Sequence, residues 1–303
     1  MRIGAHVPVR RGILSAIPAA RERGAEAVQV FVSNPRAWAP PRPPGPDAEA
    51  FREAWAGSGL GPLFVHAPYL VNVASPDPAV LQRSRALLAA TVRASAAYGA
   101  DAVVVHAGAG GRGEPGAALR RAAATLRAAC RRAATAVAVE LMAGTAGAVA
   151  STFAEAARLF DAAGDDRLRL CVDTCHLFAA GYALDRPEGV AACFEELRAA
   201  GLADRLILVH ANDARYPRGS RRDRHEHVGR GFIGREGFRA ILARPELAGL
   251  AVIVETEGDA RAHRRDIETL RRLAAESSEV DPSGDRAARR QGSSSAPGPS
   301  WWA

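Results

Sequence analysis

The stretch DPAVLQRSRALLAATVRASAAYGADAVVVH, residues 77–106, holds one complete structural unit. Asp77 caps a helix, Pro78 suits its first turn, and Leu81, Leu87, Leu88 and Val92 recur at helical spacing. Gly99 stops it, and a short β-branched run, Ala102 to His106, follows and ends on an imidazole. The same grammar extends in both directions. Apolar runs at Arg2 to His6, Ala27 to Val32, Leu63 to His66, Ala136 to Glu140, Leu168 to Asp173, Leu206 to His210 and Ala251 to Glu255 alternate with alanine- and arginine-rich helical segments. Eight strand-then-helix units, joined in the right-handed parallel sense, predict an α/β protein of the (β/α)₈ TIM-barrel class. An open doubly wound sheet is the alternative that the count of eight disfavours.

Length agrees. The chain has 303 residues, and one such barrel needs about 250. After Ala275 the composition turns to Ser, Pro, Gly and charge, which predicts a barrel domain over 1–275 and a disordered tail over 276–303 that ends in Trp301 and Trp302. The formal charge of +7 is carried by arginine alone, since lysine is absent. Such a balance fits either a polyanionic partner or a compositional bias and does not choose between them. Cys130, Cys171, Cys175 and Cys193 form no CxxC pair, as expected of free thiols in a reducing compartment. With no signal-like start and no run of about 18 apolar residues, a cytoplasmic protein without a membrane partner is expected.

The chemistry is concentrated where strands end. His66, His106, Glu140, Asp173 (with His176 just beyond), His210 and Glu255 stand at six consecutive strand C-termini, and Asp223 and His225 lie in the loop after the seventh strand. In a barrel these ends open onto one face, so the nine side chains converge. A single histidine there is most often a hydrogen-bonded structural group. Six strands in succession are another matter, because buried acids require compensating charge, which bound cations supply. Mixed imidazole and carboxylate donors suit zinc or manganese rather than calcium, and nine donors suffice for two or three ions with positions left open. Clustered divalent ions activate water and stabilise a leaving oxygen, which predicts phosphate ester hydrolysis.

Eight motifs carry a resemblance: IGAHVP (3–8), FVSNPRAW (31–38), HAPYLVNVASP (66–76), VVHAG (104–108), VELMAG (139–144), CVDTCHLFAAGY (171–182), LVHANDARYPRGSRRDRHEHVGRGFIG (208–234) and VIVETEG (252–258). Over residues 1 to about 275 the chain resembles the endonuclease IV family, zinc-dependent apurinic/apyrimidinic endonucleases of base excision repair with a xylose-isomerase-like TIM barrel. The resemblance implies a hydrolase that acts as a monomer on duplex DNA, cutting 5′ to abasic sites, leaving 3′-OH and 5′-deoxyribose phosphate, and clearing blocked 3′ ends. It also implies three Zn²⁺ ions, with Mn²⁺ as an alternative occupant of one site. His66, His106 and Glu140 would hold the first; Glu140, Asp173, His210 and Glu255 the second; His176, Asp223 and His225 the third. Glu140, Asp173 and Glu255 would be the catalytic carboxylates. For DNA contacts it implies Arg36, Tyr69 and Leu70 in the minor groove, with Arg218, Arg221, Arg222 and Arg224 on phosphates.

Two departures stand out: the family usually has Glu-Asn-Thr where this chain has Glu140-Leu141-Met142, and His-Pro-Gly where it has His106-Ala107-Gly108. They spare the expected ligands and alter their supports. His6 is expected to support the ligands, His227 is a competitor of His225, and His263 is expected on the exposed side of the last helix. Two rival readings make distinct predictions. A sugar isomerase or epimerase of related barrels would hold one ion, and a non-catalytic DNA-damage binder would have closed structural zinc sites.

Overall fold

A computed structural model describes residues 1–43, 45–132 and 134–280. Eight parallel strands close a barrel: β1 (Arg2–His6), β2 (Val28–Val30), β3 (Leu63–His66), β4 (Ala102–His106), β5 (Ala136–Glu140), β6 (Leu168–Asp173), β7 (Leu206–His210) and β10 (Ala251–Val254). Neighbours in sequence are neighbours around the barrel, and β1 pairs with β10 to shut it. The helices outside are α1 (Ala16–Arg23), α2 (Asp47–Ala56), α3 (Pro78–Ala97), α4 (Pro115–Cys130), α5 (Phe153–Ala163), α6 (Thr174–Ala180), α7 (Pro187–Ala199), α8 (Gly234–Leu242) and α9 (Ala260–Val280). An antiparallel pair, β8 (Asp213–Ala214) with β9 (His225–Glu226), lies outside the barrel in the loop after β7. No helix of the described residues is long and apolar enough to cross a membrane.

The unit read from 77–106 is built as expected. Asp77 accepts hydrogen bonds from the amides of Ala79 at 2.8 Å and Val80 at 3.1 Å, and Gly99 has a φ of +72° just past the helix end. Three boundaries differ. β2 spans Val28–Val30 rather than Ala27 to Val32, because the chain turns at Asn34, whose side chain accepts from the Arg36 amide at 3.0 Å, and Pro35 has no N–H for a ladder. β10 stops at Val254, and the Glu255 amide donates instead to Asn212 Oδ1 at 2.8 Å. The domain boundary expected after Ala275 falls inside α9, which runs on to Val280. Residues 281–303, with Trp301 and Trp302, lie outside the described residues.

Two apolar layers hold this architecture. Side chains such as Val65, Val103, Val105, Val137 and Val139 point outward into the layer shared with the helices. Alternate positions, among them Ala27, Phe64, Val104, Ala138, Cys171, Leu208 and Ile253, fill the barrel interior. Strand alternation then sends the residue two further along each strand inward as well. The interior is tight at its seam: a Cβ on Gly4 would stand 1.7 Å from the Ala27 carbonyl oxygen, so β1 and β2 approach this closely only because position 4 is glycine.

Candidate metal centre

The alternation that packs the interior also positions the polar residues. Two positions beyond Phe64, Val104, Ala138, Cys171, Leu208 and Ile253 come His66, His106, Glu140, Asp173, His210 and Glu255, stacked above the apolar plug at the C-terminal mouth. The two remaining strands complete the ring with His6 and Gln29, which are in register with each other. Gln29 was not legible as a site residue beforehand. Its signal was a glutamine flanked by valines in a strand, fully buried at 0% exposure.

Among the described residues, donor atoms converge in five groups, of which two include a buried cysteine, Cys171 with Glu140 and His210 and Cys175 with Asp173 and His225, and three consist of the expected residues. Within each of His66–His106–Glu140, Glu140–Asp173–His210–Glu255 and His176–Asp223–His225, one atom per residue lies within 4.8 Å of all the others. Glu140 joins the first two: its Oε2 stands 3.0 Å from His66 Nε2 and 3.4 Å from His106 Nε2, while its Oε1 is 3.1 Å from His210 Nδ1. In the third group, Asp223 Oδ2 is 3.2 Å from His176 Nε2 and its Oδ1 is 3.2 Å from His225 Nε2.

Each ring is turned by what its second nitrogen touches. His66 Nδ1 donates to the Ala67 carbonyl at 2.6 Å and His176 Nδ1 to the Leu141 carbonyl at 2.9 Å, which turns both Nε2 atoms toward carboxylates. Because the His176 contact is to main chain, the leucine at 141 does not disturb it. At 107 the alanine even adds a donor that proline lacks, with its amide bonded to the Glu140 carbonyl at 3.0 Å. Asp173 serves twice. Its Oδ1 caps α6 by accepting from the His176 amide at 3.0 Å, and its Oδ2 accepts from Asn212 Nδ2 at 2.6 Å.

The electrostatics are those of a centre built for cations. Burial alone would neutralise Glu140, yet His210 and His106 outweigh it and hold the carboxyl well below its usual range. Burial is likewise overcome at Asp223 by His176 and His225, and at Glu255 by His210 and His6, so both stay ionised. Against burial, Asp173 and Asp223 raise His176 well above 6.5 and push His225 up to about 9, while Cys171, Glu255 and Glu140 raise His210 well above 6.5. His225 Nε2 is nonetheless buried with no hydrogen-bond partner, although two carboxylate oxygens lie within 3.5 Å. A buried imidazole nitrogen facing two carboxylates without a hydrogen bond suits a shared cation, and nitrogen and carboxylate oxygen are what zinc takes. These residues fit divalent ions.

Several supports escaped the sequence reading. Asn212 donates to Asp173 and to Glu255 Oε2 at 3.3 Å, and Thr174 Oγ1 donates to the Asn212 carbonyl at 2.7 Å. Asp213 is wholly buried and accepts amide hydrogen bonds from Ala214, Gly229, Gly231, Ile233 and Gly234. That clamp draws together the two ends of the loop bearing Asp223 and His225. A Cβ on Gly231 would meet the Ala214 carbonyl oxygen at 2.4 Å and Asp213 Oδ1 at 2.5 Å, so the clamp requires glycine there.

Two histidines lie apart from the centre. His227 bonds Asp266 and joins none of the three groups. His263, expected to be exposed, is buried at 7%: it accepts from Arg23 Nε at 3.2 Å and donates to the Thr256 carbonyl at 2.7 Å. It shares the inward face of α9 with Ile267 and Leu270, four and seven residues on.

Around the mouth, Arg36, Arg218, Arg221, Arg222 and Arg224 are exposed, Leu70 is half-buried, and Tyr69 is 53% exposed. The Tyr69 amide bonds the Pro35 carbonyl at 3.0 Å, tying the NPRAW and HAPYL loops together. Its ring lies 5.7 Å from that of His66 and 6.2 Å from that of His106. Arg222 stacks on Tyr216, Arg218 approaches Asp185 at 3.8 Å, and Arg224 Nη1 donates to the Asp223 carbonyl at 2.7 Å. Arg221 alone among non-glycine residues described holds a positive φ, +55°.

The chain is similar to known proteins in sequence and fold. Residues 17–273 match the family described as xylose isomerase-like TIM barrel. A probable endonuclease 4 of Streptomyces coelicolor is 39% identical over 285 residues, covering 89% of this chain and 94% of that protein. One from Methanoculleus marisnigri is 38% identical over 281 residues, covering 90% and 98%. The crystal structure of endonuclease IV from Thermus thermophilus superposes with a TM-score of 0.81 at 32% identity, over 91% of this chain and 100% of that one. A D-tagatose 3-epimerase-like protein superposes at 0.72 with 19% identity over 92% and 99%, a likeness of fold alone.

Proposed function

The chain belongs to the endonuclease IV family, and on that premise we propose that it is a metal-dependent DNA-repair hydrolase that cuts the phosphodiester 5′ to abasic sites in duplex DNA. The observation that carries the reading is that His66, His106, Glu140, Asp173, His176, His210, Asp223, His225 and Glu255 fall into three convergent groups with Glu140 shared. An epimerase needs one ion and has no use for His66, His106, Asp223 and His225 as additional ligands.

Three zinc ions match three groups, with manganese as an alternative in one. Divalent ions held there supply the Lewis acidity that activates water and stabilises the leaving oxygen of a phosphodiester. The chain's own residues do the rest. Glu140 keeps two groups at fixed separation through its two oxygens, Asp173 locks α6 to the strand ends, and the Asp213 clamp holds Asp223 and His225 over the mouth. Tyr69, rooted on His66 and His106, with Leu70 and Arg36 forms a wedge suited to entering a minor groove and turning a base-less nucleotide toward the centre. Arg218, Arg221, Arg222 and Arg224 flank the third group, where strand phosphates would run. A centre open at the barrel mouth would also accept phosphate groups that block 3′ ends.

The test is incubation of the zinc-loaded protein with a duplex carrying one abasic site, beside an undamaged duplex. A single nick 5′ to the lesion, leaving 3′-OH and 5′-deoxyribose phosphate, is expected. Intact damaged strands from protein whose metal content has been verified would overturn the reading.

A further inference from the structure

Gln29 is the residue that β2 contributes to the polar ring, and its carboxamide spends all three of its side-chain hydrogen bonds there. Nε2 donates to Glu255 Oε1 at 2.6 Å and to His6 Nδ1 at 3.0 Å; Oε1 accepts from His210 Nε2 at 3.0 Å. Only one orientation of the amide satisfies these partners. Reversed, its oxygen would face the Glu255 carboxylate, and its NH₂ would face the ring N–H that His210 must keep if Nδ1 is to present a lone pair. With the Glu255 and His210 contacts fixing the amide, its second N–H points at His6 Nδ1, which accepts it.

We propose that Gln29 is a positioning residue of the metal centre, orienting Glu255 and His210 as one unit. By holding Glu255 Oε1 it turns Oε2 toward the centre, and by holding His210 Nε2 it turns Nδ1 the same way. Those two freed atoms stand 3.1 Å apart, beside Glu140 Oε1. Asn212 supports the same carboxylate from the far side, with Nδ2 3.3 Å from Glu255 Oε2. A glutamine buried only to fill space would bond to nearby main chain; among the described residues this side chain bonds to His6, Glu255 and His210 alone. Its loss should therefore weaken the ion held by Glu140, Asp173, His210 and Glu255, and spare the ion held by His176, Asp223 and His225.

The inference rests on the metal-centre reading but not on the DNA substrate, so its test measures zinc. Full-length protein loaded with zinc is titrated with a chromogenic chelator, counting ions released at each stage, for wild type, Gln29→Met and Gln29→Glu. The visible spectrum of the cobalt-substituted proteins and the melting temperature of the metal-stripped proteins are recorded alongside. One ion per chain should bind roughly 10- to 100-fold more weakly in both variants, with the others unchanged and the cobalt spectrum altered. Should Gln29→Met not fold, Gln29→Glu, which fills the same volume, decides. Wild-type release from a folded variant would overturn the proposal, as would uniform weakening of all ions in step with a lower melting temperature of the stripped protein. A wild-type chain that took up no zinc would instead overturn the metal centre itself.

Discussion

His227 Nδ1 and Asp266 Oδ2 are joined at 2.8 Å across 39 residues of sequence, so the second histidine of DRHEHVG is anchored to α9 while the first, His225, faces Asp173 and Asp223. The two differ in kind. His225→Ala should release one zinc per chain. His227→Ala should retain full zinc and cost about 1–2 kcal/mol of stability, since Asp266 keeps its bonds from Thr256 and Val228. Zinc counting and denaturant unfolding of both variants check this. Zinc loss from His227→Ala alone would reverse the assignment.

Glu140→Gln should lower abasic-site cleavage by more than about 100-fold, because the amide gives up one of the oxygens by which the carboxylate joins two donor groups. Single-turnover cleavage with metal content measured in parallel is the check. A near-normal rate would dissolve the shared role of Glu140.

Asp213→Asn should destabilise the protein by about 2–3 kcal/mol, since an NH₂ would replace one of two oxygens that accept five backbone amides. The damage should reach function, as the loop carrying Asp223 and His225 loses its clamp. Unfolding curves together with zinc retention test both parts. Unchanged zinc affinity would confine Asp213 to stability.

Much of this architecture was open to reading, and the omissions have physical causes. The strand ends were legible because period-two alternation and a terminal imidazole or carboxylate coincide at His66, His106, Glu140, Asp173 and His210. Asp213 and Asn212 were not, because both lie beyond the end of β7, where no periodicity assigns a side chain to a face. Gln29 sits in a three-residue strand too short to show its alternation. His263 was misjudged for a different reason: its spacing to Ile267 and Leu270 marks an inward face, but the many charges of α9 mask it. At Leu141 and Ala107 the contacts to His176 and Glu140 run through backbone, which side-chain identity does not reveal.

Metal-stripped protein should lose stability as pH rises. His225 titrates near 9 in the folded state against 6.5 ordinarily, so its attraction to Asp173 and Asp223 contributes fully below pH 6.5 and vanishes as pH climbs through about 9. Zinc-loaded protein needs the same imidazole neutral and should hold its stability over that window. Melting temperatures from pH 6.5 to 9, in chelator and in excess zinc, separate the two. Parallel curves would show that His225 does not meet an ion.

Arg36→Ala and Tyr69→Ala should separate charge from shape. Losing Arg36 should mainly weaken binding of the damaged duplex and reduce the salt dependence of that binding by about one unit of slope. Losing Tyr69 should weaken only the damaged duplex, since its phenol, pushed up to about 12 by burial and by Glu255 and Glu140, stays uncharged. Binding isotherms at several salt concentrations, in chelator to prevent cleavage, provide the comparison.

The seam between β1 and β10 also governs how the chain is made. Register pairs Arg2 with Ala251 and Ala5 with Val254, so during synthesis β1 waits for β10. At about 5–20 residues per second, that interval is on the order of 12–50 s. During it, β1 can pair with β2 but keeps an open edge, the kind of surface that recruits foreign strands. That exposed edge is five residues long, Arg2–His6, until Ala251–Val254 arrives to cover it.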